Sequence, residues 1–133
     1  MTDFDTVTGF RLGSGAGIDQ LDLDKTLIAA NSAAVNGMDS GVIRSPHIFD
    51  GLITFDDIND YTLPLVITAG NLTNVFGYLQ NNIAGGNTVA FNALGNTYVF
   101  QDGGVSDTLV QLTGVTASSI STTGTATDAI WIV

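Results

Sequence analysis

The sequence lacks cysteine and glutamate, and only Arg11, Lys25 and Arg44 carry a fixed positive charge. Without cysteine, no disulfide can cross-link the fold, and with a single histidine a zinc site is not expected. All 13 acidic residues are aspartate, so the formal net charge is -10 and most carboxylates have no cationic side chain to pair with. A strongly acidic chain is also a poor match for nucleic acid, because contacts to phosphate supply most of the affinity in that class.

The sequence also has no pattern of a secretory signal peptide at residues 1–5 and no long apolar run. Residues 1–5 have neither the positive charge nor the apolar stretch of a secretory signal peptide. No apolar run approaches the length needed to cross a bilayer, so we predict no membrane span. If the protein leaves the cell, we expect it to do so by a route that needs no such N-terminal signal.

The length and composition favour one β-rich domain over residues 1–133. Hydrophobic residues make up 44% of the chain and charged residues 12%. Glycine, threonine and asparagine fill much of the remainder, and these residues suit turns and strands better than long helices. We predict a mainly β fold of the α+β class, built as an antiparallel sheet or sandwich with one clear helix.

Apolar periodicity divides the chain into segments. Residues 1–24 contain strand patterns at 5–10 and 20–24 around a glycine run. Residues 25–70 are predicted to form an irregular β region. Strand-like apolar residues occur at 42–55, on both sides of a turn at Asp50-Gly51, and again at 63–68. Within 25–41, four alanines favour a helical turn that asparagine and glycine interrupt; they are Ala29, Ala30, Ala33 and Ala34.

The second half of the chain has clearer signals. Residues 71–84 predict a helix that Asn71 caps and glycine ends. Its apolar face consists of Leu72, Val75, Phe76, Leu79 and Ile83. Strands are predicted at 87–91, 96–101 and 108–112, within a hairpin region over 87–115 where neighbouring strands pair antiparallel.

Two groups of residues predict calcium binding. Gly15, Gly17 and Asp19 combine glycines, whose turn lets backbone carbonyls face an ion, with one charged oxygen ligand. Asp102 and Asp107 bracket a glycine loop, so their carboxylates converge on one cation if the hairpin closes. In both places the alternative is an ordinary turn or a solvated hairpin loop without metal.

Catalysis is the competing class of function, and the residues do not favour it. Ser45, His47 and Asp50 superficially offer a nucleophile, a base and an orienting acid. On an extended strand, however, Ser45 and His47 point to one face and Asp50 to the other. Asp56 and Asp57 are neighbours whose side chains project apart, unlike a glycosidase pair, and we interpret them as part of a charged connector. We predict that the chain is not an enzyme.

Three segments of the sequence resemble parts of one known group of proteins. Residues 5–23, which include Gly15-Ala-Gly-Ile-Asp19, are similar to the last, degenerate glycine-aspartate repeat of a β-roll. Residues 95–102 and 107–115 resemble a hairpin that recurs downstream of the roll. The third segment is similar to the terminal signal read by type I exporters; it consists of Asp128, Ala129, Ile130, Trp131, Ile132 and Val133. Together the three segments resemble the C-terminal regions of RTX-type exoproteins and of bacterial surface-layer proteins exported by type I secretion.

The resemblance implies a noncatalytic, calcium-binding C-terminal module that caps a β-roll and carries a type I secretion signal. It implies a degenerate β-roll turn at the N-terminus of the fold and Ca²⁺ as the cofactor. The implied partners are the type I secretion machinery and the upstream β-roll of a longer parent protein. The implied location is secreted, extracellular or at the cell surface.

Two further interpretations remain open. A self-assembling surface-layer or adhesin segment would associate with copies of itself through strand edges and the apolar tail. A carbohydrate-binding module would use exposed aromatic rings, for which the candidates are Tyr61, Tyr78, Tyr98 and Trp131. A tryptophan in a folded chain is usually part of the core, so we expect Trp131 to insert with its neighbours as a last strand.

Overall fold

A computed structural model describes residues 4–32 and 36–133 of the chain. Within these ranges the elements are, in chain order, β1 (Asp5–Thr8), β2 (Gln20–Asp22), β3 (Leu27–Ile28), β4 (Ser45–Phe49), β5 (Leu52–Asp56), α1 (Leu72–Asn82), β6 (Asn87–Ala93), β7 (Asn96–Gln101), β8 (Thr108–Thr113), β9 (Ile120–Ser121) and β10 (Ala129–Ile132). The predicted mainly β class with one helix is confirmed. Of the four alanines that favoured a helical turn, Ala33 and Ala34 lie outside the described residues, whereas Ala29 and Ala30 follow β3 and are not helical.

Seven strands form the main sheet. Six of them lie in the order β1-β8-β7-β6-β5-β4, and β3 pairs with β6. The predicted antiparallel pairs β6–β7 and β7–β8 are confirmed. The β1–β8, β3–β6 and β5–β6 pairs are instead parallel, which makes the sheet mixed. Parallel neighbours need long connections, and α1 supplies one of them between β5 and β6.

Two-residue turns close two hairpins of this sheet, and the predicted turn at Asp50-Gly51 is one of them. Asp50 and Gly51, between β4 and β5, have φ angles of 48° and 76°, and Leu94 and Gly95, between β6 and β7, have 55° and 75°. Positive φ at both central residues is typical of a type I′ turn, whose twist matches that of the flanking strands. Gly51 also lies against β9, since a Cβ at this position would come within 2.2 Å of Cγ1 of Ile120.

A hydrophobic core lies on each face of the main sheet. One core joins α1, through residues such as Val75 and Leu79, to alternate side chains of the sheet such as Val89 and Phe91. The other core joins the intervening side chains, Ala90 among them, to a small sheet with the order β2-β10-β9. Because successive strand residues point to opposite faces, the protein has three layers: the helix, the main sheet and the small sheet.

The start of α1 differs from its prediction. Asn71 occupies the N-cap position, but its side chain makes no capping hydrogen bond to the helix. Its Oδ1 accepts a hydrogen bond from the N–H of Thr68 at 2.7 Å, and its Nδ2 donates to the carbonyl of Val66 at 3.2 Å. Asn71 therefore orders the segment that leads into the helix.

The prediction of a strand at residues 63–68 is wrong, since this described segment forms no strand. Leu65 donates one backbone hydrogen bond to the carbonyl of Phe55 at 2.6 Å. The N–H of Leu63, two residues earlier and on the same side of the segment, donates to the side chain of Asp56 at 3.2 Å and does not extend this contact into a ladder. The apolar pattern instead reflects packing, because Leu65 and Ile67 contact the core beneath α1.

Candidate functional site

The first predicted calcium site lies on the turn between β1 and β2. Gly13, Gly15 and Gly17 have φ angles of 124°, 106° and 79°, which L side chains adopt only with strain. The carbonyl of Gly15 accepts a hydrogen bond from the N–H of Ile18 at 3.2 Å, so the run folds back on itself. The N–H of Gly13 donates to the carbonyl of Ile132 at 2.8 Å, which ties the turn to β10.

The carboxylate of Asp19 closes this turn by binding Arg11. Its Oδ2 accepts a hydrogen bond from the N–H of Arg11 at 2.8 Å, and its Oδ1 lies 3.4 Å from Nη2 of the same residue. The backbone hydrogen bond, followed by the guanidinium contact, lowers the pKa of Asp19. A calcium ion on these oxygens would lie beside a fixed positive charge. The metal site at Gly15, Gly17 and Asp19 stays a prediction, and the Arg11 contact counts against it.

The second predicted site lies on the loop of residues 102–107 between β7 and β8. Oδ1 of Asp102 accepts a hydrogen bond from the N–H of Gly104 at 2.6 Å. Oδ2 of Asp107 accepts one from Nε2 of Gln80 on α1 at 3.0 Å. Within the described ranges, neither carboxylate forms an ion pair with lysine or arginine. Two half-buried carboxylates thus flank an exposed loop with backbone carbonyls, and such oxygen donors suit a hard cation.

A shallow polar recess of about 260 Å³ beside this loop brings a further carboxylate, that of Asp5, next to Asp107. Asp5, at the start of β1, lines the recess together with Asp107 and Thr108. The parallel pairing of β1 with β8 brings them together, since it places Asp5 opposite Val110. Asp5 was not predicted as a site residue, because no local pattern indicates that the first strand pairs beside β8.

The described residues provide limited metal-binding capacity. In residues 4–32 and 36–133, no three carboxylate or imidazole groups come together as a metal site. Calcium at the 102–107 loop would therefore depend on one or two carboxylates, completed by backbone oxygens and water. Few charged ligands mean low affinity, and such a site fits the millimolar calcium outside cells.

Asp56 was interpreted as part of a charged connector, and its carboxylate accepts hydrogen bonds from the backbone. The residue is 4% exposed. Oδ1 accepts a hydrogen bond from the N–H of Asp57 at 2.7 Å, and Oδ2 accepts from the N–H groups of Thr62 at 2.8 Å and Leu63 at 3.2 Å. These bonds, with that of Thr62 the largest effect, hold the pKa of Asp56 at about 2 although partial loss of solvent raises it. Asp56 therefore anchors the 57–63 segment.

Ser45 and His47 have structural contacts. The Ser45 hydroxyl is buried and donates to the carbonyl of Ile58 at 2.6 Å. The His47 ring packs against Tyr61 with 5.4 Å between ring centroids. The N–H of Asp50 is held by the side chain of Asn31 at 2.7 Å. These contacts give no support to a catalytic triad, and the absence of catalysis stays a prediction.

Most of the aromatic residues that a carbohydrate-binding module would need are in the core. Tyr78, Tyr98 and Trp131 are 0%, 3% and 5% exposed, whereas Tyr61 is half-buried. The predicted insertion of Trp131 into the core is therefore confirmed. Of the four candidate rings, Tyr61 alone remains for contact with a sugar.

The predicted export segment is a core strand of the folded protein. β10 pairs antiparallel with β2 on one side and β9 on the other. Ile130 and Ile132 are fully buried at 0% exposure. The backbone oxygen of Val133 accepts hydrogen bonds from the N–H groups of Ser118 at 2.5 Å and Ser119 at 3.1 Å. Residues 129–133 are thus held on both sides.

No family model, curated protein or solved structure matches this chain. The resemblance to RTX-type and surface-layer exoproteins therefore remains an expectation from the motifs alone. In the part of the chain that the structure describes, no helix has the length and apolar character needed to cross a bilayer.

Proposed function

We propose that this chain is a noncatalytic terminal module of an exported bacterial protein, and that residues 128–133 act both as a type I export signal and as a core strand. The observation that carries the proposal is the burial of β10 between β2 and β9. An exporter can read this segment only while the chain is unfolded. Folding outside the cell then removes the segment from solvent and makes export irreversible.

The proposal includes Ca²⁺ as a ligand that stabilises the folded state. Among the described aspartates, Asp19 and Asp39 are the ones that form ion pairs, with Arg11 and Arg44. Apart from Asp56, whose carboxylate accepts backbone hydrogen bonds, the remaining carboxylates repel one another in a calcium-poor cytosol, which favours the unfolded chain. Outside the cell, calcium at the 102–107 loop stabilises the fold by about 1.4 kcal/mol when its concentration is tenfold above Kd.

Thermal unfolding in chelator and in millimolar calcium tests the calcium step. Calcium should raise the Tm of the wild type by about 5 °C, from the stabilisation above and the unfolding entropy of a chain of this size. The double variant Asp102→Asn/Asp107→Asn should lose this shift. Asp60→Asn, at an exposed aspartate outside the loop, should keep it. Identical melting of the wild type in chelator and in calcium would contradict the calcium step.

The export step has a separate test. The chain is coexpressed with a type I exporter, and its secreted fraction is compared with that of a variant in which a Gly/Ser segment replaces residues 128–133. The control replaces residues 122–127, which precede the strand. We expect the first replacement to abolish export and the second to preserve it. Loss of a core strand cannot by itself explain why the first variant is not exported, because the exporter acts on an unfolded chain. Equal secretion of both variants would refute the export step.

A further inference from the structure

The six-strand path of the main sheet ends at β1 and at β4, and the β4 edge is protected. Ile48 of β4 exchanges two backbone hydrogen bonds with Ser32, at 3.0 and 3.1 Å, on the side away from β5. Pro46 lies two residues earlier, so its backbone faces the same side, and it has no N–H to offer. A covering segment and an edge proline are both devices that prevent another strand from adding to a sheet.

The β1 edge differs from the β4 edge. β1 pairs with β8 on one side, and within residues 4–32 and 36–133 no strand pairs with its other side. In a parallel pair, alternate residues direct their N–H and C=O groups to the neighbour, so the intervening residues direct theirs away from it. Asp5, Thr6 and Thr8 are exposed, and β1 contains neither proline nor lysine.

The side chains of this edge define the partner that it fits. Asp5 and Val7 lie on the same face of β1, and Val7 packs against the core beneath the small sheet. The recess at Asp5 adds the carboxylate of Asp107. An added strand therefore meets negative charge at one position and an apolar side chain two residues further on. Opposite charges and β-branched residues are the cross-strand neighbours that stabilise such pairs.

We propose that β1 is a docking edge for an extended polypeptide segment of another protein, with lysine or arginine near Asp5 and a β-branched residue beside Val7. The segment adds to the sheet through main-chain hydrogen bonds, and its side chains provide specificity. A second copy of this chain fits less well, because its net charge is also -10. The proposal depends neither on calcium binding nor on export.

The test uses the full chain in chelator at low salt, so the outcome is independent of calcium. The probes are two end-capped peptides, Lys-Val-Thr-Val-Thr-Lys and Glu-Val-Thr-Val-Thr-Glu. The basic peptide should slow amide hydrogen exchange at alternate residues of β1 by at least about tenfold, and the acidic peptide should not. Because this measurement uses the wild type, it does not depend on the folding of any variant.

Two charge reversals test the role of Asp5. Asp5→Lys should weaken binding of the basic peptide about fivefold, whereas Asp60→Lys, which makes the same charge change on an exposed segment between β5 and α1, should leave it unchanged. Equal weakening by both variants would mean that net charge alone attracts the peptide, and would overturn the proposal. Unprotected β1 amides at saturating basic peptide would overturn it as well. A dimer that protects β1 without peptide would make a second copy the occupant, against the proposal.

Discussion

Gln101 on β7 provides a test of how the segment between the two sheets is held. Its side chain is 1% exposed. Oε1 accepts a hydrogen bond from the N–H of Lys25 at 3.1 Å, and Nε2 donates to the carbonyl of Lys25 at 2.5 Å and to Oγ1 of Thr88 at 2.7 Å. Gln101 thus pairs with the backbone of Lys25 much as a neighbouring strand would. Gln101→Leu keeps a side chain of similar size and removes all three bonds.

The loss of stability expected for Gln101→Leu follows from these three hydrogen bonds. Lys25 is exposed, so its N–H and C=O can return to water, and losing the two bonds costs about 2 kcal/mol. Thr88 is 0% exposed, so its hydroxyl loses its partner inside the protein. A buried polar group left unpaired costs about 1–3 kcal/mol. We therefore expect Gln101→Leu to lower the free energy of unfolding by about 3–5 kcal/mol.

Urea unfolding, followed by the fluorescence of Trp131, measures this loss. The control is Gln111→Leu on β8, the same replacement at a half-buried position of the same sheet. It should change the free energy of unfolding by less than about 1 kcal/mol. A loss below about 1 kcal/mol for Gln101→Leu, or an equal loss for both variants, would refute the reasoning that these hydrogen bonds hold the segment.

Two further predictions concern single residues. The hydrogen bonds that lower the pKa of Asp56 to about 2 stabilise the fold fully above its usual pKa of 3.8, and this stability is lost as the pH falls towards 2. The difference in Tm between wild type and Asp56→Asn should therefore narrow from about pH 4 to pH 2, and a constant difference would contradict the role of the ionised carboxylate. Leu94 is 52% exposed with φ of 55°. Leu94→Asn should raise the free energy of unfolding by up to about 1 kcal/mol, because asparagine tolerates this conformation. Urea titrations measure the change, and a lower free energy of unfolding in the variant would show that the turn is not strained.

Local sequence patterns predicted the elements whose partners are near in the chain. The strand at 96–101 has the predicted bounds, and in the helix Val75, Phe76 and Leu79 of the predicted apolar face are buried, whereas Ile83 follows its last residue. The Asp50-Gly51 and Leu94-Gly95 turns carry their own conformational signal in glycine. The prediction of a strand at 63–68 was wrong because apolar residues that pack under a helix form the same short apolar run as those of a strand.

The candidate site was less predictable, because its geometry depends on contacts between distant residues. A glycine-aspartate motif specifies a turn, but it does not specify whether the carboxylate faces a metal or an arginine. In the structure Asp19 faces Arg11, which belongs to the entry of the same turn. Asp5 reaches the recess of Asp107 through the pairing of β1 with β8, and such long-range pairing leaves no local pattern to read.

The position of β10 connects folding with the proposed function. In the small sheet, β2 and β9 each pair with β10 and not with each other, so neither has its sheet partner until residues 129–132 are in place. Gly13 also donates its N–H to Ile132, which joins the glycine turn to the same strand. The core beneath the small sheet therefore cannot close while these residues are held elsewhere. If an exporter holds these residues, the side chains of Ile130 and Ile132 cannot pack into this core. Export and folding therefore exclude each other.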